Sequence, residues 1–214
     1  EEKPSQRSKY WMSFIRSEKI IAKQNMALKD LSYILNHLGE ERDAYFQAVS
    51  PPIIQSSNFY FKSVDALRQD IADELSNRIY TRGNNPTTEI LRKKLAALEG
   101  AEDALVLASG IAAVSAAVLA FVRQGSHIVS VGSVYSWTTR LFNDYLPRFG
   151  VETTFVDGKD LAKLEAAIRP ETTILYLESP TTMLFELQDL RACAQIARKY
   201  GIVSMIDNSC CSPI

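Results

Sequence analysis

The sequence has 214 residues, of which 46% are hydrophobic and 23% are charged, and its formal net charge is −1. This composition is typical of a globular chain that can bury a sizeable core. The basic residues are scattered, whereas nucleic-acid-binding proteins usually carry a basic stripe, so no nucleic-acid partner is expected.

The cysteines and histidines do not form the patterns of a metal site or a disulfide framework. Cys193, Cys210 and Cys211 make an odd number, and there are only two histidines, which favours a reducing compartment without a metal. The longest strongly apolar run, 111–122, is shorter than the ~20 residues of a transmembrane helix. The first residues lack the basic-then-apolar order of a signal peptide. We therefore expect a cytoplasmic protein with no membrane partner.

The first part of the chain is predicted to be an N-terminal arm at residues 1–62, followed by an α/β domain at 63–214. Residues 1–25 are polar and basic, and Met26-Ala27-Leu28 resembles a natural start. Residues 1–25 are therefore interpreted either as an upstream extension or as a mobile helical arm.

Helical character over residues 26–38 ends before Pro51-Pro52, and an extended segment is predicted at 53–61. Further along, Asn85 can cap a helix that begins at Pro86 and stops at Gly100.

The remaining pattern alternates between apolar strands and amphipathic helices. A buried strand is predicted at 104–107, and an alanine-rich helix follows it and ends near Gly125. This alternation predicts an α/β fold with a mainly parallel sheet and helices on both faces. Further strands are predicted at 127–132, 151–156, 173–177 and 202–206, and further helices near 138–147, 160–168 and 187–200.

Ligands of such sheets bind beyond the carboxyl ends of the strands, at the N-termini of helices. The first such turn contains Ser109, Gly110 and Ile111, whose backbone N–H groups could bind a phosphate, although Ser-Gly is often just a turn. The sequence lacks GxGxxG, GxxxxGK[ST] and GxSxG motifs, which disfavours nucleotide-binding folds and a serine hydrolase.

Three further turns carry chemically useful side chains, each with a plainer alternative. Tyr135 follows a strand, although such a tyrosine is often a core or interface residue. Glu178 ends a strand, where an acid is often a capping carboxylate. Asp207 also ends an apolar strand, and a carboxylate there needs a cationic partner, for which a protonated pyridine nitrogen is suitable.

A separate turn, from Tyr80 to Pro86, offers another phosphate ligand. Arg82 could bind a phosphate through its guanidinium group, and Tyr80 could add its hydroxyl. Taken alone, an exposed arginine in a turn is unremarkable.

Read in chain order, these turns resemble the pyridoxal-phosphate (PLP) enzymes of cysteine and methionine metabolism. That family contains cystathionine β- and γ-lyases, cystathionine γ-synthase, methionine γ-lyase and O-acetylhomoserine sulfhydrylase. The resemblance runs from about Pro51 to Pro213 and implies the PLP-transferase type I fold. Its carriers are PPIIQSS (51–57), YTRGNNPT (80–87), LAALEG (95–100), SGIAA (109–113), LPRFG (146–150), ESP (178–180) and DN (207–208).

The resemblance implies that pyridoxal 5'-phosphate is the cofactor. Tyr80 and Arg82 would reach the cofactor phosphate of a neighbouring subunit, which implies a homo-oligomer, namely a homotetramer built as a dimer of dimers. The helix start at Ser109, Gly110 and Ile111 would bind the phosphate of its own subunit.

The resemblance also assigns roles around the cofactor ring. Tyr135 would stack on the ring and take part in proton transfer, which makes it the predicted catalytic residue. Asp207 would pair with the pyridine nitrogen and keep it protonated, so that the ring can accept electrons. Glu178 would lie near the cofactor edge. Thr182 stands where much of the family has an asparagine that contacts the cofactor's phenolic oxygen, and its hydroxyl could donate there.

Two other departures from the family pattern bear on subtype and structure. Trp137 stands where methionine γ-lyases carry a cysteine, which disfavours that subtype. Cys210 and Cys211 replace a run that usually bears threonine and an aromatic residue, and they are interpreted as small buried hydrophobes.

The family's Schiff-base lysine lies beyond the position of Asp207, and no lysine follows Asp207 in these 214 residues. We therefore expect an incomplete PLP-binding domain at 63–214, and a 214-residue chain that is inactive alone. For the parent protein we expect carbon–sulfur lyase activity of trans-sulfuration on a small sulfur-containing amino acid. A γ-replacement enzyme and a non-catalytic fragment are the alternatives.

Overall fold

The computed structural model describes residues 31–74 and 76–211, and the prediction for residues 1–25 lies outside this part. The chain divides into two compact units, Glu1–Val106 and Leu107–Ile214. The arm boundary predicted near residue 62 stays a prediction. Among its described residues, the first unit has three α-helices, α1 (Leu31–Asn36), α2 (Val64–Ala72) and α3 (Pro86–Glu99), and a 3-10 turn at Arg42–Tyr45.

Helix α3 has the capping residues that the sequence predicted. The Asn85 side chain accepts a hydrogen bond from the backbone N–H of Thr87 at 2.8 Å, and Pro86 supplies the first helical residue without needing a donor. Gly100 ends the helix in the left-handed conformation, with φ of 61°, which glycine adopts without steric cost.

The sequence analysis missed helix α2. Its N-cap is Ser63, whose hydroxyl accepts from the N–H of Ala66 at 3.1 Å, and Asp65 lies in its first turn. Both features favour a helix start. Val64, Leu67 and Ile71 also recur at helical spacing, so both the apolar pattern and the cap were usable signals, although no residue of this helix is buried.

The strand predicted at 104–107 is wrong, because these residues are not part of any strand in the described chain. A strand requires a neighbour that takes its backbone N–H and C=O groups, and no described strand pairs with this segment. Leu105 is 75% exposed, so the apolar side chains are not buried as a strand in a sheet core would bury them. An apolar run alone does not supply the pairing partner.

The second unit contains a four-stranded parallel sheet with the order β2-β1-β3-β4. All three strand pairings are parallel, as the alternation of strands and helices predicted. Every residue of β1 is buried, which is typical of a central strand in a parallel sheet. The strands are β1 (His127–Val131), β2 (Glu152–Val156), β3 (Thr172–Glu178) and β4 (Val203–Asp207), each within two residues of its predicted bounds.

The helices of the second unit agree with the prediction less well at their ends. The alanine-rich helix stops at Leu119 rather than near Gly125. The helix predicted at 138–147 is a short α-helix that continues as one π turn and one 3-10 turn, through Phe149. Pro147 has no N–H for an α-helical bond, which disfavours a regular helix there. The helices are α4 (Gly110–Leu119), α5 (Ser136–Arg140), α6 (Leu161–Ala166) and α7 (Leu190–Tyr200).

The core of the second unit lies around β1 and β3. Phe142 is 1% exposed, and its ring meets the Tyr176 ring edge-on at 5.0 Å between centroids. From α7, Cys193 and Ala197 are buried, one helical turn apart on the same face. This packing fixes β3 and β4 beside each other, so the residues at their carboxyl ends have defined positions.

The described residues were searched for a membrane-spanning helix and for a group of metal ligands. Within residues 31–74 and 76–211, no helix is long and apolar enough to cross a membrane. The same part of the chain contains no group of three or more histidine, cysteine, aspartate or glutamate residues that could hold a metal ion.

Candidate functional site

A cavity of about 620 Å³ lies at the carboxyl ends of β3 and β4 and beside the start of α4. This volume falls within the range of small-molecule sites. The position agrees with the rule that open α/β sheets bind ligands beyond the carboxyl ends of their strands. Its lining contains seven residues that the sequence analysis selected: Ser109, Gly110, Ile111, Tyr135, Glu178, Thr182 and Asp207.

The start of α4 presents unpaired backbone donors to this cavity. The hydroxyl of Ser109 accepts from the N–H of Ala112 at 3.2 Å, and its carbonyl accepts from the N–H of Ala113 at 3.1 Å. The N–H groups of Gly110 and Ile111 have no acceptor among the described residues. A Cβ placed on Gly110 would meet no protein atom within 4 Å, so a ligand can approach the backbone there. Such a helix start binds anions.

Asp207, the last residue of β4, supplies an anionic group on the sheet side of the cavity. Its Oδ1 accepts from the N–H of Ser209 at 3.0 Å, and its other oxygen accepts no hydrogen bond from the described residues. Asp207 is the register partner of Glu178, so the two side chains share a face of the sheet. One carboxylate oxygen is thus available to a cationic ligand.

Glu178 has a different environment, because both oxygens of its carboxylate accept hydrogen bonds from protein donors. One oxygen accepts from the backbone N–H of Tyr135 at 2.7 Å. The other accepts from the N–H and the hydroxyl of Thr182, at 2.7 Å and 2.6 Å. Glu178 is 5% exposed. Three hydrogen bonds offset the cost of burying this side chain.

Two tyrosines line the same cavity with different exposure. Tyr135 is 41% exposed and immediately precedes α5. Tyr176 is 2% exposed, and burial raises the pKa of its hydroxyl far above the usual range, an effect that the Thr138 side chain partly opposes. Tyr176 was missed by the sequence analysis, although its position two residues before Glu178 on β3 places both on one face.

Tyr80 and Arg82, the predicted ligands of a neighbouring subunit's phosphate, belong to the first unit. Their turn is closed by hydrogen bonds from the N–H groups of Gly83 and Asn84 to the carbonyl of Tyr80, at 2.9 Å and 3.2 Å. The Arg82 guanidinium lies over the Tyr80 ring, 4.9 Å from its centroid. The side chains form a cation–π pair, and their role toward a second subunit stays a prediction.

The prediction that Cys210 and Cys211 are buried hydrophobes is wrong, since both are exposed and only Cys193 is buried. They follow β4 in a turn, outside the sheet core. Cys210 lines the cavity, and the thiol of Cys211 lies 3.8 Å from the carbonyl oxygen of Ser179.

Comparison with known proteins identifies the family. The family model described as "Cys/Met metabolism PLP-dependent enzyme" matches residues 33–214. The chain belongs to this family. Family membership identifies pyridoxal 5'-phosphate as the cofactor.

Several curated relatives have different names but similar identity to this chain. An L-methionine gamma-lyase of Porphyromonas gingivalis is 40% identical over 169 residues, 78% of this chain and 42% of the relative. A cystathionine gamma-lyase of Sus scrofa is 37% identical, covering 81% of this chain and 41% of the relative. An O-succinylhomoserine sulfhydrylase of Pseudomonas aeruginosa is 36% identical, covering 75% and 40%. The chain thus spans less than half the length of these relatives.

Solved structures confirm the fold. The metB protein of Corynebacterium glutamicum matches with a TM-score of 0.76 and 30% identity, over 84% of this chain and 45% of that chain. A putative O-acetylhomoserine (thiol)-lyase of Campylobacter jejuni matches with a TM-score of 0.78 and 29% identity, over 84% and 44%. The latter carries a pyridoxyl-lysine-phosphate. The described sheet is therefore part of a PLP-transferase fold.

The groups that line the cavity have the chemistry that PLP requires. The cofactor combines a phosphate dianion with an aromatic ring whose nitrogen can carry a proton. Unpaired amide donors at Gly110 and Ile111 suit the phosphate, and the available oxygen of Asp207 suits the protonated nitrogen. The half-exposed ring of Tyr135 suits an aromatic neighbour.

Proposed function

We propose that the protein is a PLP-dependent carbon–sulfur lyase of trans-sulfuration, acting on a cystathionine-like amino acid. The observation that carries this proposal is the cavity in which unpaired amides at the start of α4 face the same space as Asp207. One end of this space attracts an anion and the other attracts a cation. PLP, which carries both groups on one ring, matches that arrangement.

In this proposal each group of the cavity holds one part of the cofactor. The N–H groups of Gly110 and Ile111, with the hydroxyl of Ser109, bind the phosphate. Asp207 holds a proton on the pyridine nitrogen, and Tyr135 packs against the ring. When bound, PLP supplies an electron sink that stabilises negative charge on the substrate's α-carbon.

Tyr135 is proposed as the catalytic residue of this part of the chain. Its ring lines the cavity and is partly exposed, so its hydroxyl is accessible to a bound amino acid. From there the hydroxyl can move a proton to or from substrate atoms. Its backbone is held by Glu178, which limits how far the ring can be displaced.

The family's Schiff-base lysine, which follows the position of Asp207 in the resemblance, has no counterpart among these 214 residues. None of the seven residues that follow Asp207 is a lysine, so we propose that the 214 residues alone do not turn over substrate. The alternative, in which this chain is a non-catalytic fragment that serves only in assembly, predicts no cofactor absorption band even for the longest natural form of the protein.

We further propose a homotetramer in which Tyr80 and Arg82 bind the cofactor phosphate of a neighbouring subunit, and a cytoplasmic location. Support comes from the exposed turn that carries both side chains and from the affinity of arginine for phosphate. The measurement is light scattering of the full-length protein, together with PLP retention by Arg82→Ala. A charge-assisted phosphate contact contributes about 1.5–3 kcal/mol.

A γ-replacement enzyme is the second candidate, since a relative named O-succinylhomoserine sulfhydrylase is 36% identical to this chain. Relatives with lyase names lie at 34–40% identity, so similarity in this region does not choose among the reactions. In the family resemblance, Trp137 stands where methionine γ-lyases carry a cysteine. This difference favours a cystathionine-like substrate over methionine.

The two candidates differ in product. Full-length protein should be incubated with cystathionine, and separately with an acylated homoserine and a thiol. The lyase proposal predicts pyruvate or 2-oxobutyrate from cystathionine without a thiol acceptor. A thioether product formed faster than either keto acid would contradict it and support the replacement enzyme.

A further inference from the structure

We propose that Glu178 is a positioning residue that clamps the backbone of Tyr135 against the cofactor cavity, and that Thr182 donates its hydroxyl proton to Glu178 and not to the cofactor. The inference rests on the proposed cofactor site. It assigns two residues of that site to the protein scaffold. It also identifies the group that sets the position of the tyrosine.

The geometry of Glu178 favours a clamp over a ligand-binding role. Its two carboxylate oxygens accept three hydrogen bonds of 2.6–2.7 Å, from Tyr135 and Thr182. At 5% exposure it offers little surface to a ligand. Its register partner Asp207 is less buried and keeps one oxygen available. The two neighbouring carboxylates at the carboxyl ends of β3 and β4 therefore have different roles.

The hydroxyl of Thr182 has one proton, and the structure directs it to Glu178. The distance between the Thr182 hydroxyl and Glu178 Oε1 is 2.6 Å, which is short for a hydroxyl bond and typical of a charged acceptor. A hydroxyl that donates there can only accept from another group. The sequence-based expectation that Thr182 donates to the cofactor's phenolic oxygen therefore does not hold in this arrangement.

The clamp joins three parts of the unit that are separate in sequence. Glu178 ends β3, Tyr135 precedes α5, and Thr182 lies in the turn that follows β3. The contact to Tyr135 is made by its backbone N–H, so it fixes the main chain and leaves the ring free to face the cavity. Removing the carboxylate would leave a partly buried donor unsatisfied.

The experiment uses the full-length protein with three single substitutions: Glu178→Gln, Thr182→Val and Thr182→Ser. Glutamine keeps the size of Glu178 but has one acceptor oxygen instead of two. Thr182 supplies two donors and Tyr135 one, so we expect that oxygen to stay with Thr182 and the amide NH2 to oppose the N–H of Tyr135. Valine keeps the shape of Thr182 without its hydroxyl, and serine restores the hydroxyl as the matched control. The first readout is amide hydrogen exchange at Tyr135 in the cofactor-free protein. The second is the pH titration of the bound cofactor's visible absorption band.

For Glu178→Gln we expect exchange at Tyr135 to become on the order of 10- to 100-fold faster, because a buried hydrogen bond is lost. We also expect weaker visible circular dichroism of the bound cofactor. Unchanged exchange at Tyr135 in this variant would overturn the clamp. Because this readout needs no cofactor, it is independent of the proposed function, which instead fails if wild-type protein binds no PLP.

Thr182→Val keeps the inference testable even if Glu178→Gln does not fold. We expect Thr182→Val and Thr182→Ser to give the same pH midpoint for the cofactor band, since neither changes a contact to the cofactor. A midpoint shifted in the valine variant and restored in the serine variant would show that Thr182 donates to the cofactor. That result would overturn the second part of the inference.

Discussion

His127 and Asp207 lie at opposite ends of the strands of one parallel sheet, at the first residue of β1 and the last residue of β4. His127 is 2% exposed, and its two ring nitrogens lie 2.7 Å and 2.9 Å from the hydroxyls of Thr172 and Thr154. Asp207 lines the cavity and is only partly buried, and one of its oxygens has no protein donor among the described residues.

This difference shows how to separate a structural polar residue from a ligand-binding one. At the amino end of the sheet, each ring nitrogen of His127 has a partner on a neighbouring strand, so the side chain joins β1, β2 and β3. At the carboxyl end, Asp207 and the amides of Gly110 and Ile111 keep hydrogen-bonding capacity that the protein does not use. The buried His127 has to be paired because unpaired buried polar groups are costly, whereas the unused groups that line the cavity are available to a ligand.

The largest expected effect is on stability at the amino end. We expect His127→Ala to lower the free energy of unfolding by about 2–4 kcal/mol, since it leaves a cavity and removes the hydrogen bonds between the imidazole and the hydroxyls of Thr154 and Thr172. PLP affinity of the folded protein should stay unchanged. Urea denaturation and cofactor titration check this, with the exposed His37→Ala as control. A loss of PLP affinity in His127→Ala would contradict the assignment of a structural role to the amino end of the sheet and a ligand-binding role to the carboxyl end.

The opposite pattern is expected for Asp207→Asn. This substitution keeps the shape of Asp207 but removes the charge that pairs with the pyridine nitrogen. We expect PLP affinity to fall on the order of 10- to 100-fold, the equivalent of about 1.5–3 kcal/mol, with little change in stability.

Equilibrium titration with PLP checks the Asp207 prediction. Its matched control is Asp189→Asn, because Asp189 caps α7 and asparagine is an equally good N-cap. Equal PLP affinity in Asp207→Asn and in the control would remove Asp207 from the proposed site.

A smaller effect is expected for Gly110→Ala. The added Cβ would meet no protein atom, so stability should not fall, but the methyl group would crowd a phosphate bound at the backbone. We expect PLP to bind about fivefold more weakly, or by about 1 kcal/mol. Gly201→Ala serves as the comparison, since its φ of 67° makes alanine destabilising without affecting PLP. Unaltered PLP binding in Gly110→Ala would argue against phosphate at this turn.

The smallest expected effect is a pH dependence of stability that comes from His127. Burial, followed by the nearby Arg169, lowers the pKa of His127 in the folded state. The unfolded chain then binds a proton more readily, so stability is lost as the pH falls below about 6.5. We expect a loss of about 1 kcal/mol between pH 6.5 and about 5.5 that is absent in His127→Gln. An identical pH profile in both proteins would contradict a neutral, buried His127.

Local signals account for the parts of the structure that could be predicted. Asn85, Pro86 and Gly100 determine the ends of α3 through their own backbone chemistry, and the four strands follow from short apolar runs between helices. The strand at 104–107 could not be excluded in this way, because its formation depends on a distant partner.

The contacts of the candidate site were also only partly predictable. The selection of Glu178 and Thr182 followed from the family resemblance, but their mutual hydrogen bonds depend on the turn after β3. The hydrogen bond from the N–H of Tyr135 to Glu178 likewise joins residues that are 43 positions apart in the sequence. The spacing of residues in the sequence does not predict such a contact.

The central claim is that the amides of Gly110 and Ile111 and the carboxylate of Asp207 hold PLP at the carboxyl ends of the strands. A crystal structure of the full-length protein with PLP tests it most directly. We predict phosphate oxygens at about 2.9 Å from both amide nitrogens, and the pyridine nitrogen at hydrogen-bond distance from Asp207. A phosphate bound away from α4, or a pyridine nitrogen without contact to Asp207, would contradict the claim.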